Sequence, residues 1–107
     1  MVAQIVNDPI LKRFRVALGE LYGDRIERVV LYGSRARGDA HAESDYDVAI
    51  FLRDFSDRWR EIDRIIPIVA DIMYDDEVFI HAMPYATGAY SERTPLMAEI
   101  RREGVDL

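Results

Sequence analysis

Downstream of Asn7-Asp8-Pro9, the apolar residues Ile10, Leu11, Phe14, Ala17, Leu18 and Leu21 recur at spacings of three and four. That spacing makes one face of a helix. Asp8 is suited to cap it, Pro9 to its first position and Gly23 to its stop. The period then changes. Arg28-Val-Val-Leu-Tyr32 is short and rich in β-branched residues, which predicts a strand. A glycine-rich turn follows, with Ser34 to Gly38 opening a short helix. Asp45 to Leu52 is a second strand; its apolar half, Val48-Ala-Ile-Phe-Leu52, does not alternate, so both faces are expected to be covered. Ser56 or Asp57 caps the next helix, whose apolar positions Trp59, Ile62, Ile66, Val69 and Met73 step by three, four, three and four. Pro67 lies inside it and predicts a kink or a split. Tyr74-Asp-Asp-Glu77 ends it. Val78 to Met83 is a third strand closed by Pro84, and Tyr85 to Glu92 is a loop. Thr94-Pro95 caps a last helix with Leu96, Met97 and Ile100 inward and Gly104 at its end. This alternation predicts an α/β (α+β) chain: a small mixed β-sheet covered by helices.

Composition narrows the field. With 107 residues, half of them hydrophobic, the chain suits one domain, residues 1–107, with a modest core. Charged residues make up 32% with both signs interspersed, which argues against disorder. There is no cysteine, so neither a disulfide framework nor a thiolate zinc site is available, which fits a reducing cytoplasm. Met1 to Asp8 has no basic end and no long apolar run, so no signal peptide is expected. Apolar runs fall far short of the roughly 20 residues that span a bilayer. A net charge of -6 argues against direct nucleic-acid binding, yet leaves room for a small anion in a local basic pocket.

The chemistry concentrates in Leu31-Tyr-Gly-Ser-Arg-Ala-Arg-Gly38 and Ser44-Asp-Tyr-Asp-Val48. Residues at i and i+2 of a strand share a face, so Asp45 and Asp47 stand side by side. Two such carboxylates repel unless a cation lies between them, and a hard divalent ion is the usual solution. A solvated strand entrance would use the same residue types. Gly33 lets backbone and ligand approach closely. Ser34 adds a hydroxyl where a helix begins, a place suited to phosphate. Arg35 and Arg37 add positive charge that can grip phosphate. Alone, a Gly-Ser pair is also what a plain loop contains. The Walker pattern and the Gly-x-Gly-x-x-Gly fingerprint are both absent. Ser34 precedes Asp45 by 11 residues, each attached to a strand. Together, an anion-binding turn and a metal-type acid pair suggest phosphoryl or nucleotidyl transfer.

Gly33-Ser34, Arg35-Ala-Arg-Gly38 and Ser44-Asp-Tyr-Asp47 resemble the Gly-Ser…Gly…Ser-Asp-x-Asp signature of the polymerase-beta-like nucleotidyltransferase superfamily. The short length is similar to its smallest branch, the minimal nucleotidyltransferase (MNT) domains. Pro95 to Val105 also resembles the closing helix of such proteins. The resemblance implies a nucleotidyltransferase fold that uses ATP and Mg2+, with Asp45 and Asp47 holding metal and doing the catalysis. Gly33, Ser34, Arg35, Arg37 and Ser44 would bind the nucleotide and its phosphates. It further implies a cytoplasmic antitoxin paired with a HEPN-domain toxin, an RNase, onto whose tyrosine AMP is moved. A homo- or hetero-oligomer is consistent with this.

One departure stands out. The superfamily normally carries a third acid on a later strand, and Val78 to Met83 contains none. Asp75, Asp76 and Glu77 lie just before it, and Glu77 would share a face with Phe79 and His81 only if the strand began early. Those acids also suit a solvated turn. His81 offers an imidazole as a substitute base, or a structural side chain. The departure leaves open an MNT-fold binding module that neutralises its partner without catalysis. Little chain remains for an acceptor site, which suggests that a partner supplies it. Tyr85, Tyr90 and Trp59 are candidate docking aromatics, or ordinary core and loop residues.

Overall fold

The computed structural model describes residue 5 and residues 7–40 and 44–107. Met1 to Gln4, on which the expectation of no signal peptide partly rests, lie outside the described residues. The elements are α1 (Pro9–Tyr22), β1 (Ile26–Tyr32), α2 (Ser34–Arg37), β2 (Tyr46–Leu52), α3 (Arg58–Asp76), β3 (Ile80–Ala86), α4 (Pro95–Glu103) and β4 (Val105–Asp106). The strands form one mixed sheet in the order β3-β2-β1-β4. β2 runs antiparallel to β1 and parallel to β3.

The sheet has two unequal faces. Val29, Leu31, Val48, Ile50, Leu52 and Ile80 bury one of them against α1 and α3, with Leu11, Phe14, Leu18, Ile65 and Ile72 opposite. Val30, Ala49 and Phe51 point the other way and meet Met97 and Ile100 of α4. The unbroken apolar run of β2 therefore serves two cores, as its lack of alternation predicts. Asp47 continues the Ala49 and Phe51 side of β2 by alternation. It thus belongs to the face that α4 covers over Val30, at the end of the sheet where β1 stops.

Asp8 caps α1 through bonds from the Ile10 and Leu11 amides, at 2.8 and 3.3 Å. The same carboxylate accepts the Tyr46 hydroxyl at 2.7 Å. A helix cap and the start of β2 are thereby fixed by one side chain.

Several expectations are corrected. β1 starts earlier, at Ile26. The stripe Trp59-Ile62-Ile66-Val69-Met73 is not the buried face of α3: Trp59, Ile66 and Met73 are 74%, 53% and 47% exposed. Glu61, Ile65 and Ile72 are the fully buried residues instead. A charge disguised that face. Glu61 is buried because it pairs with Arg25 and Arg64. α3 runs unbroken through Pro67. β3 begins two residues later than expected and passes through Pro84, which an edge strand tolerates. Tyr85 lies in that strand, and residues 87–91 form a turn of 3₁₀ helix rather than open loop. Leu21 and Leu96 are partly exposed. β4 follows α4 directly and pairs with β1.

Burial pushes the phenols of Tyr22, Tyr32 and Tyr46 up to about 12 from their ordinary 10. The anionic phenolate is the form that burial disfavours. Between pH 10 and 12 the unfolded chain therefore releases protons that the folded chain retains. Stability is expected to be complete below pH 10 and to fall steeply from 10 to 12, measured by urea unfolding at several pH values. Tyr46→Phe should lose about 1–3 kcal/mol at neutral pH with its bond to Asp8, yet show a shallower alkaline decline.

Candidate active site

The candidate site is built where β1 ends. Tyr32 pairs in register with Asp47, so Gly33 emerges directly beside that carboxylate. Gly33 has φ 77 and ψ -158, a conformation that only glycine adopts without strain. It is also required for space: a Cβ there would lie 2.5 Å from Asp47 Oδ2. The acid and the turn are thus in contact.

Gly33 is the N-cap of α2, and its carbonyl accepts from the Ala36 and Arg37 amides at 3.1 and 3.0 Å. Ser34 opens the helix beside Asp47. Gly38 closes it with φ 88, in the left-handed region. A turn this tight needs both glycines.

Asp45 is exposed and sits one residue before β2. Tyr46 between the two acids is buried in the α1/α3 core, so alternation directs Asp45 and Asp47 to the opposite side. The Tyr46 amide already bonds to the Phe79 carbonyl at 3.0 Å, so extended backbone reaches this point. The Asp47 side chain is 33% exposed, enough to meet a ligand. Tyr32, its neighbour on β1, has its phenol raised to about 12, by burial first and then by Tyr85 and Asp47. It stays neutral and adds no negative charge to the site.

The arginines are engaged within the protein. Arg35 donates from Nε and Nη2 to the Ser44 carbonyl at 3.0 and 2.7 Å, and its guanidinium lies 4.0 Å from the centre of the Tyr46 ring. It ties the helix to the backbone just before the acids. Arg37 pairs with Glu103 and Asp39 at 3.2 Å each, linking α2 to α4. Ser44 takes part through its backbone carbonyl.

The acids before β3 do not reach the site. Asp75 and Asp76 pair with Arg13 of α1, at 2.8 and 3.2 Å. Glu77 is the C-cap of α3, in the left-handed conformation at φ 55. The residue in register with Asp47 on β3 is His81, whose Nδ1 lies 3.5 Å from Asp47 Oδ1. Sequence spacing placed His81 on a strand but not opposite Asp47, because strand register is a tertiary property. Tyr85 and Tyr90 pack on Phe51, with ring centres 5.6 and 5.4 Å away, so they belong to the core. Trp59 alone of the three docking aromatics is largely exposed. Among the described residues, no three His, Asp or Glu side chains gather into a ready-made metal cluster. A cation here would need ligand oxygens besides the protein's own, and triphosphate supplies them.

Known proteins resemble this chain in sequence and in fold. A model of the nucleotidyltransferase domain matches residues 11–94. The Methanocaldococcus jannaschii protein named "Putative protein adenylyltransferase MJ0141" is 30% identical over 98 residues, covering 92% of this chain and 95% of that one. Two solved structures share the fold. A toxin–antitoxin solved with AMP-PNP superposes with a TM-score of 0.60 at 18% identity, covering 89% of this chain and 70% of that one. A point mutant of the toxin–antitoxin MntA-HpeT gives 0.61 at 20% identity, covering 90% and 70%. The chain belongs to the nucleotidyltransferase domain family, and its mixed four-stranded sheet is that fold.

Gly33→Ala is expected to cost about 1–3 kcal/mol in urea unfolding and to move the NMR signals of Asp47. Gly88→Ala is the control, because a Cβ there meets nothing within 4 Å; it should do neither.

Proposed function

We propose that the chain moves AMP from ATP onto a hydroxyl of a partner protein, a tyrosine of a HEPN-domain toxin, and so acts as that toxin's antitoxin. The observation that carries this reading is the contact between Asp47 and Gly33, which joins a metal-type carboxylate to a phosphate-type turn. The name of the M. jannaschii relative supports a protein acceptor. The toxin–antitoxin neighbours, one with AMP-PNP, support a partner protein and an adenine nucleotide. Residues 1–107 act as one minimal nucleotidyltransferase domain in the cytoplasm. No helix among the described residues is long and apolar enough to cross a membrane.

Each residue has a task. The Gly33 backbone permits close approach of the triphosphate, and the Ser34 amide and hydroxyl donate to it. Asp45 and Asp47 are the ligands for a divalent cation such as Mg2+: Asp47 stands against the phosphate turn, and Asp45, exposed, lies two residues before it. When bound, Mg2+ neutralises phosphate charge and steadies the leaving group. Arg35 works indirectly, holding the Ser44 carbonyl and with it the approach to Asp45. Arg37 keeps α2 against α4. In the transfer, the acceptor oxygen bonds to the α-phosphorus, the bond to the bridging oxygen breaks, and pyrophosphate leaves. The hydroxyl proton passes to solvent.

An apolar groove of about 300 Å³ between α3 and β3 supports a protein acceptor. Ile66, Met73 and Phe79 line it, and His81 lies on it too. Partner surface seated there would adjoin Asp47.

A second reading has its own observation. The residue opposite Asp47 on β3 is an imidazole, not a carboxylate. On that reading the chain neutralises its partner by complex formation alone.

The deciding experiment is the intact mass of the protein encoded beside this chain, after incubation with the chain, Mg2+ and ATP. A gain of one or more AMP units is expected, and none with the Asp45→Asn/Asp47→Asn protein. A tight complex with no gain would establish the second reading instead.

A further inference from the structure

His81 and Asp47 face each other across the parallel pair β2–β3, in register and on the same side of the sheet. Their side chains are 54% and 33% exposed, so neither is sealed in the core. Their separation does not suit a direct bond. Nδ1 to Oδ1 is 3.5 Å, longer than the roughly 2.7–3.2 Å of an N–H···O hydrogen bond. It does suit two donors of one metal ion. Donors at about 2.1 Å from a metal lie about 3.0 Å apart at a right angle and about 3.4 Å apart at the tetrahedral angle. Phe79 lies nearly parallel to the imidazole on the same side of the chain, 6.5 Å away at 19°.

We infer that His81 is a nitrogen ligand to the ion held by Asp47, and that this chain therefore favours a borderline transition ion such as Mn2+ over Mg2+. The inference rests on the proposed nucleotide site. Its physical basis is ligand type. Mg2+ takes oxygen donors almost exclusively, whereas imidazole suits first-row transition ions. A carboxylate opposite Asp47 would give an all-oxygen set. The imidazole makes the set mixed and lowers its charge by one, which weakens the hold on Mg2+ more than on Mn2+. His81 gives a site with no carboxylate on β3 a second protein donor beside Asp47.

The test uses the full chain with AMP-PNP, reading free Mn2+ by electron paramagnetic resonance and Mg2+ by calorimetry. Wild type is expected to bind Mn2+ tighter than Mg2+ by at least about tenfold. His81→Ala should weaken Mn2+ by about tenfold and leave Mg2+ nearly unchanged. His81→Asp should raise Mg2+ affinity and narrow the gap between the two ions. Circular dichroism checks that both variants fold, as exposure of the imidazole leads one to expect. Equal loss of both ions in His81→Ala, or loss of neither, would overturn the ligand role and make His81 a neighbour of Asp47 only. Those outcomes leave metal–nucleotide binding intact, so the transferase reading would survive them. Failure of wild type to bind any metal–nucleotide would overturn both.

Discussion

The arrangement depends on one close approach. Asp47 lies so near the backbone of Gly33 that a methyl group cannot come between them. Nothing local to either residue creates that contact. It follows from the antiparallel register of β1 and β2, which sets Tyr32 opposite Asp47 and lets the chain leave β1 beside the acid. The register in turn is held by side chains that fill two cores. A slip of one residue would turn Val48, Ile50 and Leu52 to the wrong face, and Asp47 into the core. Core packing therefore selects the geometry of the site.

Much of the surrounding charge serves to hold that geometry. Asp8 caps α1 and fixes Tyr46, and Tyr46 separates the two acids. Arg35 stacks on the same ring and grips the Ser44 carbonyl. Arg37 ties the short helix to α4. Sequence spacing made both arginines candidate phosphate ligands, and in the structure both also contact the protein, Arg35 through the Ser44 carbonyl and Arg37 through Glu103 and Asp39. The acids near Glu77 likewise serve the fold, two of them through Arg13. What stays half-exposed at this end of the sheet is Asp47 and His81.

The sequence was most legible where a local signal coincided with a period. α1 carried its cap, its first-turn proline and its glycine stop where expected, and its apolar face stands as read except that Tyr22 is buried and Leu21 is not. The Gly-Ser turn and the acid pair were equally plain, because their chemistry is written in adjacent residues. Three features needed tertiary information. The inward face of α3 was hidden by Glu61, a charge buried only because Arg25 comes from another element. β3 was misbounded because Pro84 ends most strands but not an edge strand. His81 could be placed on a strand, but only pairing with β2 sets it opposite Asp47.

The central claim is that the turn at Gly33 and the acid at Asp47 act as one site for a metal–triphosphate. The most direct measurement is a nitrogen–proton NMR spectrum of the chain with AMP-PNP and a trace of Mn2+. The amides of Gly33, Ser34 and Asp47 are expected to broaden first and together, and only when the nucleotide is present. Broadening that ignores the nucleotide, or that centres on Asp75 and Asp76, would contradict it.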